Sequence, residues 1–188
     1  VYFDLEKIDA YPGPYPDERA RPKIPEAPPF DPPSKPDEWF SLFNHFVKRK
    51  IGGKHRVWRG AKERDISEAE RALGVEFPRG YREFLKRWNG AVLFDEYLRI
   101  HPIEFVLEDN LRIREEYLPE LPRHLVTFAE TEFGDMFAFD TSRRDPKTGE
   151  YPVVFIDHET LAQRAEYPNF VEWLNDWLLE LMEGKPEY

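Results

Sequence analysis

Asp135, Asp140 and Asp157, with His158 and Glu159 directly behind the last, are the residues of this chain that come nearest to a chemical constellation. Three or four carboxylates and an imidazole are the groups that hold a metal ion or divide acid and base work between them. Asp140 and Asp157 close two neighbouring strand-like runs, which allows the two carboxylates to approach each other. The spacing around them argues for a plainer role. No His-x-x-x-His or His-Glu-x-x-His pattern fixes a transition metal, and the five histidines, at 45, 55, 101, 124 and 158, stand singly. Aspartates at strand ends ordinarily accept turn hydrogen bonds. The chain has no cysteine, so thiol nucleophiles, disulfides and Cys-ligated metals are excluded. Ser34, Ser41, Ser67 and Ser142 lack the Gly-x-Ser-x-Gly elbow. Gly52 and Gly53 end a helix and open none, so they form no phosphate cradle. The residues predict no catalytic group, no cofactor and no metal; the chain is not read as an enzyme.

Charge offers a binding reading instead. The formal net charge is -10, and it is unevenly spread. Residues 1–36 hold 5 basic and 7 acidic groups, residues 37–90 hold 13 and 8, and residues 91–188 hold 9 and 22. Two acidic groups are candidates to meet a partner. Glu130, Glu132 and Asp135 lie in and after a strand, with Asp157 at the end of another. Glu172, Asp176, Glu180 and Glu183 fall at i, i+4, i+8 and i+11 of the last helix, opposite its tryptophans. Like charges at i, i+4 cost roughly 0.2–0.5 kcal/mol per pair. Binding a basic protein would explain the repulsion, since an acidic surface raises the on-rate for such a partner. The competing account is a solvated face. Lys48 to Arg64, with Trp58 among its cations, has the basic–aromatic mixture of single-strand nucleic-acid binders. Against the acidity of the whole chain it reads better as a solvated face or as an internal partner for the acidic half. No nucleic acid and no membrane is expected as partner, because no apolar run approaches the roughly 18 residues of a membrane helix. The chain starts at Val1 without a visible secretory pattern, and a cytoplasmic location is expected.

The elements that must position these groups are legible in part. Residues 11–36 contain ten of the eighteen prolines, so 1–36 reads as a polyproline-like arm preceding a domain at 37–188. Trp39, Phe40, Phe43, Phe46 and Val47 predict a helix from Asp37 to about Lys50. In ISEAERALG, Ser67 reads as an N-cap, Glu70 as its capping-box partner, Ile66 as the staple residue and Gly74 as the stop. In EFPRGYREFLKRWNG, Pro78 opens a helix with an apolar stripe of Tyr81, Phe84, Leu85 and Trp88, and Asn89-Gly90 reads as its left-handed cap. Period two then predicts strands at Val92–Ile100, Leu125–Glu130, Asp135–Asp140 and Tyr151–Asp157, the last two joined as a hairpin by SRRDPKTGE. A short helix is expected at 108–117. Asn169 and Glu172 form a capping box for a closing helix whose buried face is Phe170, Trp173, Leu174, Trp177, Leu178 and Leu181, ended by Gly184.

Four of these words, in this order, resemble the SUKH superfamily: ISEAERALGVEFPRGYREFLKRWNG, TFAETEFGDMFAFD, YPVVFIDHE and FVEWLNDWLLEL. The resemblance covers about residues 58–183 and leaves the proline-rich arm outside. It implies a single α+β domain with a mostly antiparallel sheet and helices packed on it. It also implies a non-catalytic protein-binding module. Bacterial members include immunity proteins that neutralise polymorphic toxins, often nucleases or deaminases, and fungal relatives regulate cell-wall assembly. The expected function is therefore toxin neutralisation by direct binding of a basic toxin domain. The alternative is a regulatory or scaffold module that recruits its partner.

Overall fold

The computed structural model describes residues 36–116 and 121–183. Residues 1–35 of the proline-rich arm and Gly184 lie outside them, so the expectations placed there do too, while Pro36, expected in the arm, opens the first helix. The elements run α1 (Pro36–Trp39), α2 (Ser41–Arg49), β1 (Arg56–Val57), α3 (Glu63–Leu73), α4 (Arg79–Arg87), β2 (Ala91–Leu93), β3 (Leu98–Ile100), α5 (Ile103–Glu116), β4 (Leu125–Thr131), β5 (Met136–Asp140), β6 (Val153–Ile156), β7 (Gln163–Tyr167) and α6 (Phe170–Glu183). The strands form one sheet in the order of the chain, β1 to β7, and every neighbouring pair is antiparallel. This is the α+β architecture expected.

Alternation along the strands gives the sheet two apolar faces. Phe128, Phe137 and Phe139 point to one of them. There Tyr81 of α4 packs at 5.5 Å from Phe128 and 5.1 Å from Phe139, and Phe170 and Trp173 of α6 close over the same rings. Phe40 and Phe43 join this layer through Phe84 and Trp88. Leu125, Ala138, Val154 and Ile156 point to the other face, where Ile113 of α5 and Leu121 bury them. Val126, Phe128 and Ala129 are fully buried, because a sheet covered on both sides loses the polar half of its alternation.

Several local expectations need correction. Val92–Ile100 is two strands, not one. Phe94, Asp95 and Glu96 between them all have positive φ, at 53°, 56° and 87°, a conformation that non-glycine residues take only when surroundings hold them there. The Phe94 ring is held between Phe46 and His55, and Asp95 N–H donates to Lys54 O. Ser67 does not cap α3, which begins four residues earlier at Glu63. Glu70 instead accepts from Phe77 N–H at 2.8 Å and pairs with Arg82, tying α3 to α4. Gly74 does end α3 in the left-handed conformation. α4 ends at Arg87 with Trp88 extended, and Asn89 serves a different helix, its Oδ1 accepting Ile103 N–H at 2.8 Å to start α5. That helix is longer than expected because its cap lies outside its own sequence neighbourhood. The N-cap expected at Asn169 forms, with Oδ1 accepting from Val171 and Glu172 N–H, both at 3.0 Å, and the return bond to Glu172 comes from the Asn169 side-chain amide. The short β1 and the polar β7 were not expected.

Asp140 and Asp157 do not meet. Adjacent antiparallel strands end at opposite edges: Asp140 N–H bonds Pro152 O at one end of the hairpin, while Asp157 follows Ile156, the partner of Met136, at the other.

Candidate functional site

In an antiparallel meander every second turn falls at the same end of the sheet. Here those turns are 94–97 between β2 and β3, 132–135 between β4 and β5, and 157–162 between β6 and β7. The first two are hydrogen-bonded, Glu132 N–H to Tyr97 O at 2.9 Å. The topology thus gathers Glu130, Glu132, Asp135 and Asp157 on one rim, and adds Asp95, Glu96 and Glu159 to them. At the tip Phe133 is 58 % exposed, edge-on to Tyr97 at 6.0 Å.

The rim carboxylates differ in what they do locally. Asp157 Oδ1 accepts from Glu159 N–H, Thr160 N–H and Thr160 Oγ1–H at 3.1, 2.8 and 2.8 Å, so it shapes its own turn. Asp135 Oδ1 accepts His158 N–H at 3.1 Å and lies 2.8 Å from His158 Nδ1, fastening the second turn to the third. That contact raises the His158 pKa above its ordinary value. Glu130 Oε1 accepts from Arg99 at 3.2 Å, and its Oε2 stands 3.8 Å from His101 Nε2. Glu132 is exposed. The basic run reaches the same rim: Arg56 bonds Glu96 at 2.7 Å and Lys54 N–H meets Asp95 at 3.4 Å. Basic front and acidic back therefore touch within one molecule, as an internal pairing, while Trp58 stays 43 % exposed.

Behind the rim, on the face covered by α5, lies a cavity of about 330 Å3. Its apolar wall includes Ile113, Leu121, Ala129, Met136 and Leu161. Glu130, His101, Asp109, Arg112, Thr127 and His158 supply the polar side. Phe105 of α5 is 43 % exposed and lies against the His101 ring at 4.6 Å and 31°. Burial lowers the His101 pKa, with Glu130 opposing, which favours the neutral imidazole. Sequence reasoning missed this cavity. Its walls come from His101 after β3, from α5, Leu121, β4, β5 and the 132–135 and 157–162 turns, and only the full extent of α5 would have hinted at it.

The second acidic group is set apart. Glu172, Asp176 and Glu180 lie on α6, on the other side of the sheet from the cavity. Asn169 Nδ2 donates to Glu172 at 3.1 Å, so that carboxylate belongs to the helix cap. Partial burial pushes all three carboxyls up. Neighbouring Tyr167, bonded to Trp177 Nε1–H at 3.0 Å, is pushed up to about 12, chiefly by burial. The side chain of Glu183 lies outside the described residues. Asp140 is a turn carboxylate too, accepting from Ser142 N–H at 3.1 Å, from the Ser142 hydroxyl and from Arg143, which hold its pKa down against burial. Among the described residues no three His, Asp or Glu side chains are placed to hold a metal ion, and no helix is long and apolar enough to cross a membrane.

Comparison with known proteins agrees with this architecture. Residues 60–176 match the family model of the SMI1/KNR4 family (SUKH-1). Over 50 residues the chain is 42% identical to the "Uncharacterized protein YnaB" of Bacillus subtilis (strain 168). That match covers 27% of this chain and 34% of the relative, so it spans about a third of the other protein. Proteins of the matched family are in general non-enzymatic immunity or regulatory modules. With an antiparallel sheet packed under helices and the family model matched over most of its length, the chain belongs to the SMI1/KNR4 family (SUKH-1).

Proposed function

We propose that this chain is an immunity protein that neutralises a polymorphic toxin by direct binding, with the sheet rim as its contact surface. One observation carries the reading: the meander brings Glu130, Glu132, Asp135 and Asp157 together with Asp95, Glu96 and Glu159, and sets the exposed Phe133 among them. A nuclease or deaminase domain presents cations to nucleic-acid phosphates, and an acidic rim with an aromatic tip matches such a surface in charge and offers an anchor residue. Turns at a sheet end are also where binding residues concentrate. The α6 carboxylates fit a solvated face better, since Glu172 caps its own helix.

Affinity capture from the native source, washed at low and high salt, tests the reading. A stoichiometric basic protein held at low salt and weakened at high salt is the expected result. Reversing Glu130, Glu132 and Asp135 to lysine then slows association by about 10-fold or more. Undiminished binding by that triple variant would falsify the rim as the contact. The second reading, a regulatory or scaffold module, is favoured by the ten prolines within residues 11–36, a composition suited to docking grooves of other domains.

A further inference from the structure

The cavity behind the rim has a composition that the acidic rim alone does not explain. We propose that it is a socket for one arginine side chain of the bound protein, whose aliphatic stem lies along Met136 and Leu161 and whose guanidinium reaches Glu130. The inference rests on the reading of the chain as a protein-binding module and names what that partner inserts.

Size limits the occupant first. At about 330 Å3 the cavity sits at the low end of the roughly 300–1,000 Å3 range of small-ligand pockets, suited to one long side chain and too small for a dinucleotide cofactor. Wall chemistry limits it next. The apolar patch formed by Ile113, Leu121, Ala129, Met136 and Leu161 accepts the methylene stem that arginine and lysine bury while their heads stay polar. Phe105 lines the cavity and is half-exposed, with its ring against that of His101, and a guanidinium is attracted over an aromatic face.

Charge selects a cation. Asp109 and Glu130 are the carboxylates of the wall, Asp109 paired with Arg112, while Glu132, Asp135, Asp157 and Glu159 lie in the two turns beside the cavity and make its surroundings acidic. Arg99 occupies one oxygen of Glu130, and the other faces His101 at 3.8 Å, beyond hydrogen-bonding distance. That oxygen is placed for a second donor. Burial keeps His101 toward its neutral form, so it adds no positive charge against the guest. Arginine is preferred to lysine because a planar guanidinium pairs with a carboxylate such as Glu130 and also stacks on an aromatic face such as that of Phe105.

The test needs no toxin. The full 188-residue chain, labelled with 15N, is titrated with N-acetyl-arginine amide and with the corresponding lysine, phenylalanine and glutamate amides. The expected result is saturable shifts of amides at 127–136 and 158–161 with the arginine compound, at a dissociation constant on the order of millimolar for so small a ligand. Glu130→Gln weakens that binding by about tenfold, and Phe105→Ala, on an exposed helix position, weakens it severalfold. No saturable shift, equal or tighter binding of the phenylalanine or glutamate amide, or unchanged affinity in both variants overturns the socket. If the arginine amide fails to bind while the captured toxin still depends on the rim carboxylates, the socket alone falls. If it binds and no basic partner is captured, the toxin reading falls instead.

Discussion

Glu150 shows how a single carboxylate can fasten two distant segments at a cost. It is 9 % exposed, its Oε1 accepts Gly80 N–H at 2.9 Å at the start of α4, and its Oε2 has no partner. Burial raises its pKa above the ordinary value, with the Gly80 bond and Arg79 opposing. A raised carboxyl favours the protonated form in the folded state. The penalty is therefore present at neutral pH and disappears as pH falls through the raised value. Glu150→Gln keeps the acceptor and removes the charge, so urea unfolding should show it more stable than the parent at pH 7 and equal to it at pH 4 and below. Glu150→Ala strands the buried Gly80 N–H and should cost about 1–3 kcal/mol. His158 has the opposite sign. Asp135 stabilises its imidazolium, so this contribution is complete below the ordinary histidine pKa and lost as pH rises through the raised one. In the NMR titration of its ring protons, Asp135→Asn should bring the His158 midpoint down. The sequence pointed to Asp135, Asp157 and His158 through residue type alone, and the turns do bring Asp135 to His158. Its expectation that strand-closing aspartates accept turn hydrogen bonds also holds, for Asp157 spends its Oδ1 on its own turn and Asp140 accepts from Ser142, but the pairing of Asp135 with His158 depends on where two separate turns fall.

At the scale of elements, α5 carries the wall of the cavity, and its start depends on a residue from another segment. Asn89 accepts Ile103 N–H at 2.8 Å and donates to Glu104 at 2.9 Å. Gly90 beside it has φ of 94°, and a Cβ there would come within 2.7 Å of Ile100 O. Asn89→Ala should therefore lower stability by about 1 kcal/mol, as loss of an N-cap does. Hydrogen exchange should locate that loss in the first turn of α5, leaving α4 protected. If protection is lost in α4 instead, Asn89 is a C-cap as its sequence suggests. The same pair of residues shows why boundaries were harder to read than elements. Asn-Gly after an amphipathic run is a valid stop signal, and the chain does turn there, but the amide it satisfies is 14 residues away. α4 and α6 were legible because an apolar stripe at 3.6 periodicity is a local property. β7, QRAEY, lacks the alternation of apolar residues, as suits a charged edge strand. The break at 94–96 could not be seen either. Three positive φ values follow from how Phe46, His55 and Lys54 hold that turn, and those residues lie some 40 to 50 positions upstream.

For the whole molecule, the meander converts a sequence asymmetry into a spatial one. The excess of 13 negative charges in residues 91–188 looks diffuse along the chain, yet the strand order sends seven of those carboxylates to a single end and three to the opposite layer. Only topology makes that division, and composition alone could not separate a contact surface from a wet helix face. The aromatic core is the other global feature. Every buried hydrophobic side chain described lies between Trp39 and Leu178, and Trp39 and Phe40 close the layer at its N-terminal side. If this core folds without residues 1–35, the shortened chain should unfold as cooperatively as the full protein in thermal scans, with a midpoint shifted by no more than about 4 °C, the effect of roughly 1 kcal/mol in a domain of this size. Binding separates the two functional readings in the same experiment. If the rim neutralises a basic toxin, the shortened chain retains its partner with unchanged salt dependence, because no rim carboxylate is removed. If the proline-rich segment recruits the partner, capture is lost while the unfolding transition stays. A shortened chain that binds nothing and also fails to unfold cooperatively would show that the arm is part of the folded body.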